Sequence, residues 1–67
     1  MEKFAQRLKE LREEFNITQN QLSKKTQISQ ASISKWEKGK GSPNGEYLLI
    51  LADFFNCSTD YLLGRVD

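Results

Sequence analysis

The chain has few of the side chains from which metal sites and disulfide frameworks are built. Among its 67 residues there is no histidine, and the one cysteine is Cys57. A disulfide within the chain is therefore impossible, and a conventional zinc site has too few ligands. Carboxylates are the only metal ligands left. We expect no metal, no cofactor and no small-molecule ligand.

Long apolar runs are also missing. No stretch approaches the roughly 20 apolar residues that a membrane-spanning helix needs, and the opening sequence MEKFAQRLKE lacks the apolar centre of a signal peptide. We therefore expect a cytoplasmic protein without a membrane partner. We also expect one domain, residues 1–67, of modest stability, because a chain of this length buries only about 60% of the surface that its unfolded form exposes.

The net positive charge is small overall, and it is concentrated in one segment. The formal net charge is +1. Residues 1–17 are balanced and residues 46–67 carry −3, whereas residues 18–45 carry +4 because five lysines oppose one glutamate. These lysines are Lys24, Lys25, Lys35, Lys38 and Lys40. A local field matters more to a polyanion than the total charge, so this segment is a candidate nucleic-acid surface.

Residues 18–38 contain two short helical patterns that meet across a break. In the second pattern Ile33, Trp36 and Glu37 recur at i, i+3 and i+4, so they share one face. The opposite face carries Gln30, Ala31, Ser34, Lys35 and Lys38. One edge therefore packs inward, and the other offers amide, hydroxyl and ammonium groups that hydrogen-bond base edges and phosphates. This arrangement predicts a helix-turn-helix that reads DNA.

The first two helices have clear signals at their ends. Apolar residues at helical spacing predict a first helix over residues 2–15, and Asn16 can end it because asparagine tolerates the left-handed conformation. Thr18 and Gln21 fit a capping box. We therefore predict a second helix from residue 19 to residue 25 or 26.

Three more helices complete the predicted fold. Ser29 fits the N-cap of the third helix, Asn44 opens a fourth, and Ser58 begins a short fifth. The fourth pattern, residues 48–55, is too apolar for a solvent-facing helix, so we expect it to be the central core element. No strand pattern of period two lasts long enough to count. The sequence therefore predicts an all-α fold of five helices.

Three stretches together resemble the Xre or Cro/repressor family of helix-turn-helix DNA-binding domains, which has the lambda-repressor-like fold. They are LKELREEFNITQNQL, ISQASISKWEKGKGSP and LLILADFFNCSTDYLL. The resemblance spans nearly the whole chain, and it is specific because the three stretches occur together. It implies a compact five-helix bundle, a homodimer on a pseudo-palindromic double-stranded DNA operator, and helix three in the major groove. It also implies transcriptional regulation, most often repression, in bacteria, phages or mobile elements.

The resemblance implies roles for single residues as well. The base-reading positions are Gln30, Ala31, Ser34 and Lys35. The positions that contact the DNA backbone are Gln19, Ser29, Ser32, Lys38 and Lys40. Glutamine suits the adenine edge, and lysine suits guanine O6 and N7. In family members an arginine of helix one forms a buried ion pair with a glutamate of helix three, which here predicts a structural pair between Arg12 and Glu37.

Two positions depart from the family pattern. Gln27 stands in the turn where family members usually carry glycine, so we predict a left-handed Gln27 at a cost on the order of 1 kcal/mol. Ser23 stands where alanine is usual, and it is small enough for a close crossing of helices two and three. The dimer contact has no clear signal in the sequence. By analogy its candidates are Tyr61, Leu62 and Val66.

The sequence has two alternative functional interpretations besides DNA binding. Ser34 with Lys38, or Asp53 with Glu46, could be drawn as catalytic pairs, but such pairs arise by chance in a chain with 28% charged residues, and we expect no enzymatic activity. The stronger alternative is a protein-interaction module of the antitoxin or anti-repressor type that does not itself read DNA. Salt dependence separates the two, because DNA binding releases counterions and an apolar protein interface does not.

Overall fold

Five helices and the loops that join them account for the whole chain. The computed structural model describes all 67 residues. In chain order the helices are α1 (Glu2–Glu14), α2 (Gln19–Thr26), α3 (Gln30–Glu37), α4 (Gly45–Phe55) and α5 (Thr59–Leu62). There is no strand, so the predicted all-α fold of five helices is confirmed. The predicted end of α1 differs from the observed end by one residue.

Four helices begin at a residue whose side chain caps the first turn. Thr18 Oγ1 accepts the N–H of Gln21 (3.1 Å), and the side-chain oxygen of Gln21 accepts the N–H of Thr18 (2.9 Å), which confirms the predicted capping box at α2. The side chains of Ser29, Asn44 and Ser58 each accept the N–H three residues further on, as predicted. Each cap satisfies a backbone donor that has no partner within the helix, and is worth about 1 kcal/mol.

Every helix is followed closely by a residue in the left-handed region. These residues are Asn16, Gln27, Gly39, Asn56 and Gly64, with φ between 55° and 80°. After four of the helices, the next N–H bonds to a carbonyl five residues earlier, as Ile17 N–H does to Arg12 O at 3.1 Å. The left-handed conformations predicted for Asn16 and Gln27 are therefore confirmed. Each reversal satisfies the last carbonyls of its helix and turns the chain sharply.

The core lies where α1 and α3 meet the remaining helices. Its largest fully buried side chains are Phe4, Leu8, Leu22, Ile28, Ile33, Leu51 and Leu62. Trp36 of α3 is 5% exposed and packs edge-on against Phe4, with ring centroids 6.0 Å apart. On another side its ring centroid lies 6.0 Å from that of Tyr47. Trp36 is thus a core residue, and its packing fixes α3 to the rest of the bundle.

The prediction that the fourth helix is the central core element is wrong in part. Leu51, Ala52 and Phe55 of α4 are buried, but Leu49 is 58% exposed. A helix that lies over a small core buries one stripe, and the apolar residues outside that stripe remain at the surface. The helix α1, with four buried residues, contributes at least as much to the interior. None of the five helices combines the length and the apolarity needed to cross a membrane.

Arg7 of α1 holds the C-terminal part of the chain against the bundle. Its guanidinium donates hydrogen bonds to the carbonyls of Tyr61 (3.1 Å) and Val66 (3.2 Å) and lies 4.1 Å from the centroid of the Tyr61 ring. Leu62, which lies in the chain between Tyr61 and Val66, is fully buried, so the prediction that it is a candidate dimer contact is wrong. The α5 helix turns Leu62 into the core and leaves Val66, in the tail, 48% exposed.

Candidate nucleic-acid interface

Four residues shape the turn between α2 and α3. Gln27 has φ 65° and ψ 18°, which reverses the chain at the end of α2. Ile28 is buried beneath the turn. The hydroxyl of Ser23 donates to the carbonyl of Ile28, and the hydroxyl of Thr26 accepts the Ile28 N–H (3.4 Å). The departure from glycine at Gln27 is therefore accommodated, and Ser23 adds a hydrogen bond that alanine could not make.

The third helix presents two opposite faces, as the sequence pattern predicts. Ile33 and Trp36 are buried, and the side chain of Glu37 is 5% exposed. On the other face Ser34 is half-buried, and the exposed residues are Gln30, Ala31, Lys35 and Lys38. The inward face is filled by core packing, and the exposed side chains of the outward face make no hydrogen bond or ion pair with another helix. The edge they form is the candidate surface for base edges.

The predicted ion pair between Arg12 and Glu37 is confirmed. Arg12 Nε lies 2.8 Å from Glu37 Oε2, and Arg12 Nη2 lies 3.1 Å from Glu37 Oε1. A third guanidinium N–H donates to the carbonyl of Ile17 at 2.9 Å. The hydrogen bonds that Arg12 donates to the Glu37 carboxylate raise the pKa of Arg12, although burial alone would lower it. This paired geometry, of the strong charge-assisted kind, joins α1 to the end of α3.

Gln19 belongs to the same network, which the sequence did not indicate. Its Nε2 donates to Glu37 Oε1 at 3.0 Å. One N–H of the amide is thereby used inside the protein, and one remains. The backbone N–H groups of Gln19 and Asn20 make no hydrogen bond within the chain, so the start of α2 still offers donors. Glu37 therefore links all three helices that surround the turn.

The serines at the start of α3 are partly occupied by capping. Ser29 Oγ accepts the Ser32 N–H (3.1 Å) and donates to Ser32 Oγ (2.9 Å). The Ser32 hydroxyl keeps its own proton for another acceptor. At the other end of α3, the exposed Lys38 and Lys40 sit where the chain leaves the helix. Both of their N–H groups donate to the carbonyl of Lys35, which closes the helix end.

The positive charge of this region is not neutralised within the protein. The two ion pairs of the chain are Arg12 with Glu37 and Arg7 with Asp67. The exposed lysines of the segment, none of which is in an ion pair, are Lys24, Lys25, Lys35, Lys38 and Lys40. Their charges are therefore available to an external polyanion, and a field of this kind attracts phosphates over a distance set by the salt concentration.

The surface has two shallow depressions, and both lie beside α1. One is lined by Arg12, Glu13, Asn16, Ile17 and Thr18. The other is lined by Glu10, Glu13 and Glu14. Neither depression contains Ser34, Lys38, Glu46 or Asp53, and no group of three or more histidine, cysteine, aspartate or glutamate side chains is arranged so that it could hold a metal ion. The residues of the outward edge of α3 line neither depression.

Comparison with known proteins gives consistent relatives. A BcrR protein of Enterococcus faecalis, named as a helix-turn-helix transcriptional activator, is 45% identical over 60 residues, which are 90% of this chain and 29% of that protein. Repressor protein C2 of Salmonella phage P22 is 41% identical over 59 residues, or 88% of this chain and 27% of its own. The transcriptional regulator ImmR of Bacillus subtilis is 38% identical over 61 residues, which are 91% of this chain and 48% of that protein.

These relatives are longer proteins, and this chain spans between about a quarter and a half of their length. No solved structure matches the chain significantly. The family model for helix-turn-helix domains matches residues 8–62, which run from within α1 to the end of α5. This match covers most of the chain and agrees with the relatives and with the observed arrangement of α2, the turn and α3. The chain therefore belongs to the Xre and lambda-repressor-like family of helix-turn-helix domains.

Proposed function

We propose that this domain binds double-stranded DNA in a sequence-specific manner by placing α3 in the major groove. The observation that carries the proposal is the outward edge of α3, where amide, hydroxyl and ammonium groups stand opposite a fully packed inner face. An α-helix fits the width of the major groove, where each base pair presents its own pattern of donors and acceptors. A helix whose outward groups are unoccupied can match such a pattern.

The residues that choose the sequence are those of the outward edge. Gln30 is exposed at the first position of α3 and can pair with adenine N6 and N7. Ala31 offers a methyl group to a thymine methyl, and Lys35, one turn after Ala31, suits guanine O6 and N7. Ser34 is half-buried, so its hydroxyl is the least accessible of the four. Each good contact of this kind contributes about 1–3 kcal/mol of discrimination.

A second set of residues orients the domain through phosphates. These are Gln19, Ser29, Ser32, Lys38 and Lys40. The bond between Gln19 and Glu37 supports the role of Gln19, because it fixes the amide beside free backbone N–H groups at the start of α2, where a helix favours an anion. Ser32 contributes its unshared hydroxyl proton. The exposed Lys38 and Lys40 contribute charge without sequence preference.

The biological role follows from the same binding. We propose a regulator of transcription that acts in the cytoplasm as a homodimer on a pseudo-palindromic operator, and represses by occupying it. Two recognition helices would then lie roughly 34 Å apart, one turn of the duplex. Repressors of Salmonella phage P22 and of a cryptic phage of Vibrio cholerae are among the relatives, which supports repression, while the activator of Enterococcus faecalis shows the other use.

Selection of preferred duplexes from a random pool, at a stated salt concentration, tests the proposal. Lys35→Ala should weaken the selected site by about 1–3 kcal/mol and relax its preference at one base pair. Lys40→Ala, in the loop that follows α3, is the matched control, and should weaken binding to all sequences alike and reduce the salt dependence. An unchanged preference in Lys35→Ala would refute the assignment of Lys35 to a base.

The rival function, a protein-interaction module on this fold, is supported by the exposed apolar side chains Phe15 and Leu49. Binding to duplex DNA measured between 50 and 200 mM salt separates the two functions. A domain that makes several phosphate contacts loses affinity by orders of magnitude over this range. A domain that shows no affinity for any duplex at low salt, but forms a salt-insensitive protein complex, would establish the rival function instead.

A further inference from the structure

The loop after α3 folds back onto the side chain of Lys35. Gly41 has φ +67°, and a Cβ added to it would lie 3.0 Å from Cε and 3.4 Å from Nζ of Lys35. The end of the Lys35 stem therefore rests against the face of Gly41 that any other residue would fill. The backbone joins the same two segments, because the Lys40 N–H donates to the carbonyl of Lys35 at 3.0 Å.

We propose that Gly41 is a positioning residue for Lys35 and thereby helps determine DNA sequence specificity, an inference that rests on the function proposed above. A Cβ at position 41 would push Cε of Lys35 away by a few tenths of an ångström, because 3.0 Å is tighter than ordinary packing, and would stand where the end of the Lys35 side chain now rests. Resting on the loop restricts the directions that the ammonium samples before DNA arrives. Less conformational freedom is then lost on binding, and the ammonium approaches one base pair.

Gly39 provides a control within the same loop. It also has a left-handed backbone, with φ +80°, but a Cβ added there would meet nothing within 4 Å. Alanine at either position therefore suffers the same kind of backbone strain. Only at Gly41 does the added methyl group reach the side chain of Lys35. A difference between the two variants isolates that contact from loop strain.

The experiment compares Gly41→Ala and Gly39→Ala with the unaltered chain, each confirmed as folded by circular dichroism at the binding temperature. Duplex selection at one fixed salt concentration gives the preference at the base pair that Lys35→Ala relaxes. Gly41→Ala should lower discrimination at that pair by on the order of threefold to tenfold, the effect of freeing one side chain. Gly39→Ala should leave the preference unchanged. It should lower the midpoint of unfolding by about as much as Gly41→Ala does. Combined with Lys35→Ala, Gly41→Ala should cause no further loss of discrimination.

A second variant keeps the test decisive if Gly41→Ala folds poorly. Gly41→Asn carries its Cβ in the same place, but asparagine adopts the left-handed region more readily. The same loss of discrimination is expected. Unchanged discrimination in the folded position-41 variants, or an equal change in Gly39→Ala, would overturn the inference alone, provided that Lys35→Ala changes the preference. An unchanged preference in Lys35→Ala would overturn both this inference and the proposed role of Lys35.

Discussion

Removing Glu37 should destabilise the domain more than any other single loss of charge. Its side chain is 5% exposed and accepts hydrogen bonds from Arg12 Nε at 2.8 Å, Arg12 Nη2 at 3.1 Å and Gln19 Nε2 at 3.0 Å. In Glu37→Ala the side chain of Arg12, which is 14% exposed, keeps only its hydrogen bond to the carbonyl of Ile17. The side-chain amide of Gln19 loses its acceptor. A buried charge left without its partner costs about 3–5 kcal/mol.

The magnitude matters because a domain of this size has little stability to lose. At about 0.05–0.15 kcal/mol per residue, a chain of 67 residues has a free energy of unfolding of roughly 3–10 kcal/mol. Arg12 retains some contact with water, so we expect a loss near 3 kcal/mol, at the lower end of the range. The variant should therefore be partly unfolded near 37 °C even though no apolar core residue has changed.

Urea denaturation provides the measurement, followed by circular dichroism and by the fluorescence of Trp36, the one tryptophan. Asp67→Asn is the matched control, because it removes the other ion pair, in which a fully exposed carboxylate lies 3.8 Å from Nη2 of Arg7. It should cause no measurable change in the free energy of unfolding. Glu37→Gln should fall between the two, because it retains the shape of the side chain. If Glu37→Ala were as stable as Asp67→Asn, the proposed role of the network would be refuted.

Three further predictions concern backbone and burial. Gln27→Gly should stabilise the domain by about 0.5–1 kcal/mol in urea denaturation, because glycine adopts the φ of 65° without strain. Gly64→Ala should destabilise it by more than about 1 kcal/mol, since its φ is 76° and the added Cβ would overlap Cβ of Lys3. Burial raises the pKa of the Cys57 thiol, so a disulfide reagent at pH 8 should react several-fold more slowly than in urea. The stability that the buried neutral thiol contributes is fully present below about pH 8.5, the ordinary pKa of cysteine. It is lost as the pH rises through the higher pKa that the thiol has in the folded state.

Features set by neighbouring residues could be predicted from the sequence. The capping box at Thr18, the left-handed Asn16 and the caps of α3, α4 and α5 depend on local chemistry, and all are observed. The buried ion pair followed from the family resemblance, and it is also observed. Membership in a family of DNA-binding domains confirms the prediction that the chain is not an enzyme.

Features set by distant residues could not be predicted. The bond from Gln19 to Glu37 joins residues 18 positions apart, and the contacts of Arg7 with the tail span more than 50. Apolar composition does not show which face of α4 meets the core, and it therefore does not predict that Leu49 is exposed. The same composition does not show that Leu62 of α5 is buried. These outcomes depend on how whole helices pack, which a local pattern does not contain.

The central claim is that the outward edge of α3 meets DNA, and nuclear magnetic resonance tests it most directly. The ¹⁵N-labelled domain would be titrated with its selected duplex at low salt, and amide shifts mapped onto the chain. The account predicts the largest changes at Gln30, Ala31 and Lys35, with smaller ones at the start of α2. Saturable changes confined to α4 and the C-terminal tail, or no change with any duplex, would contradict it.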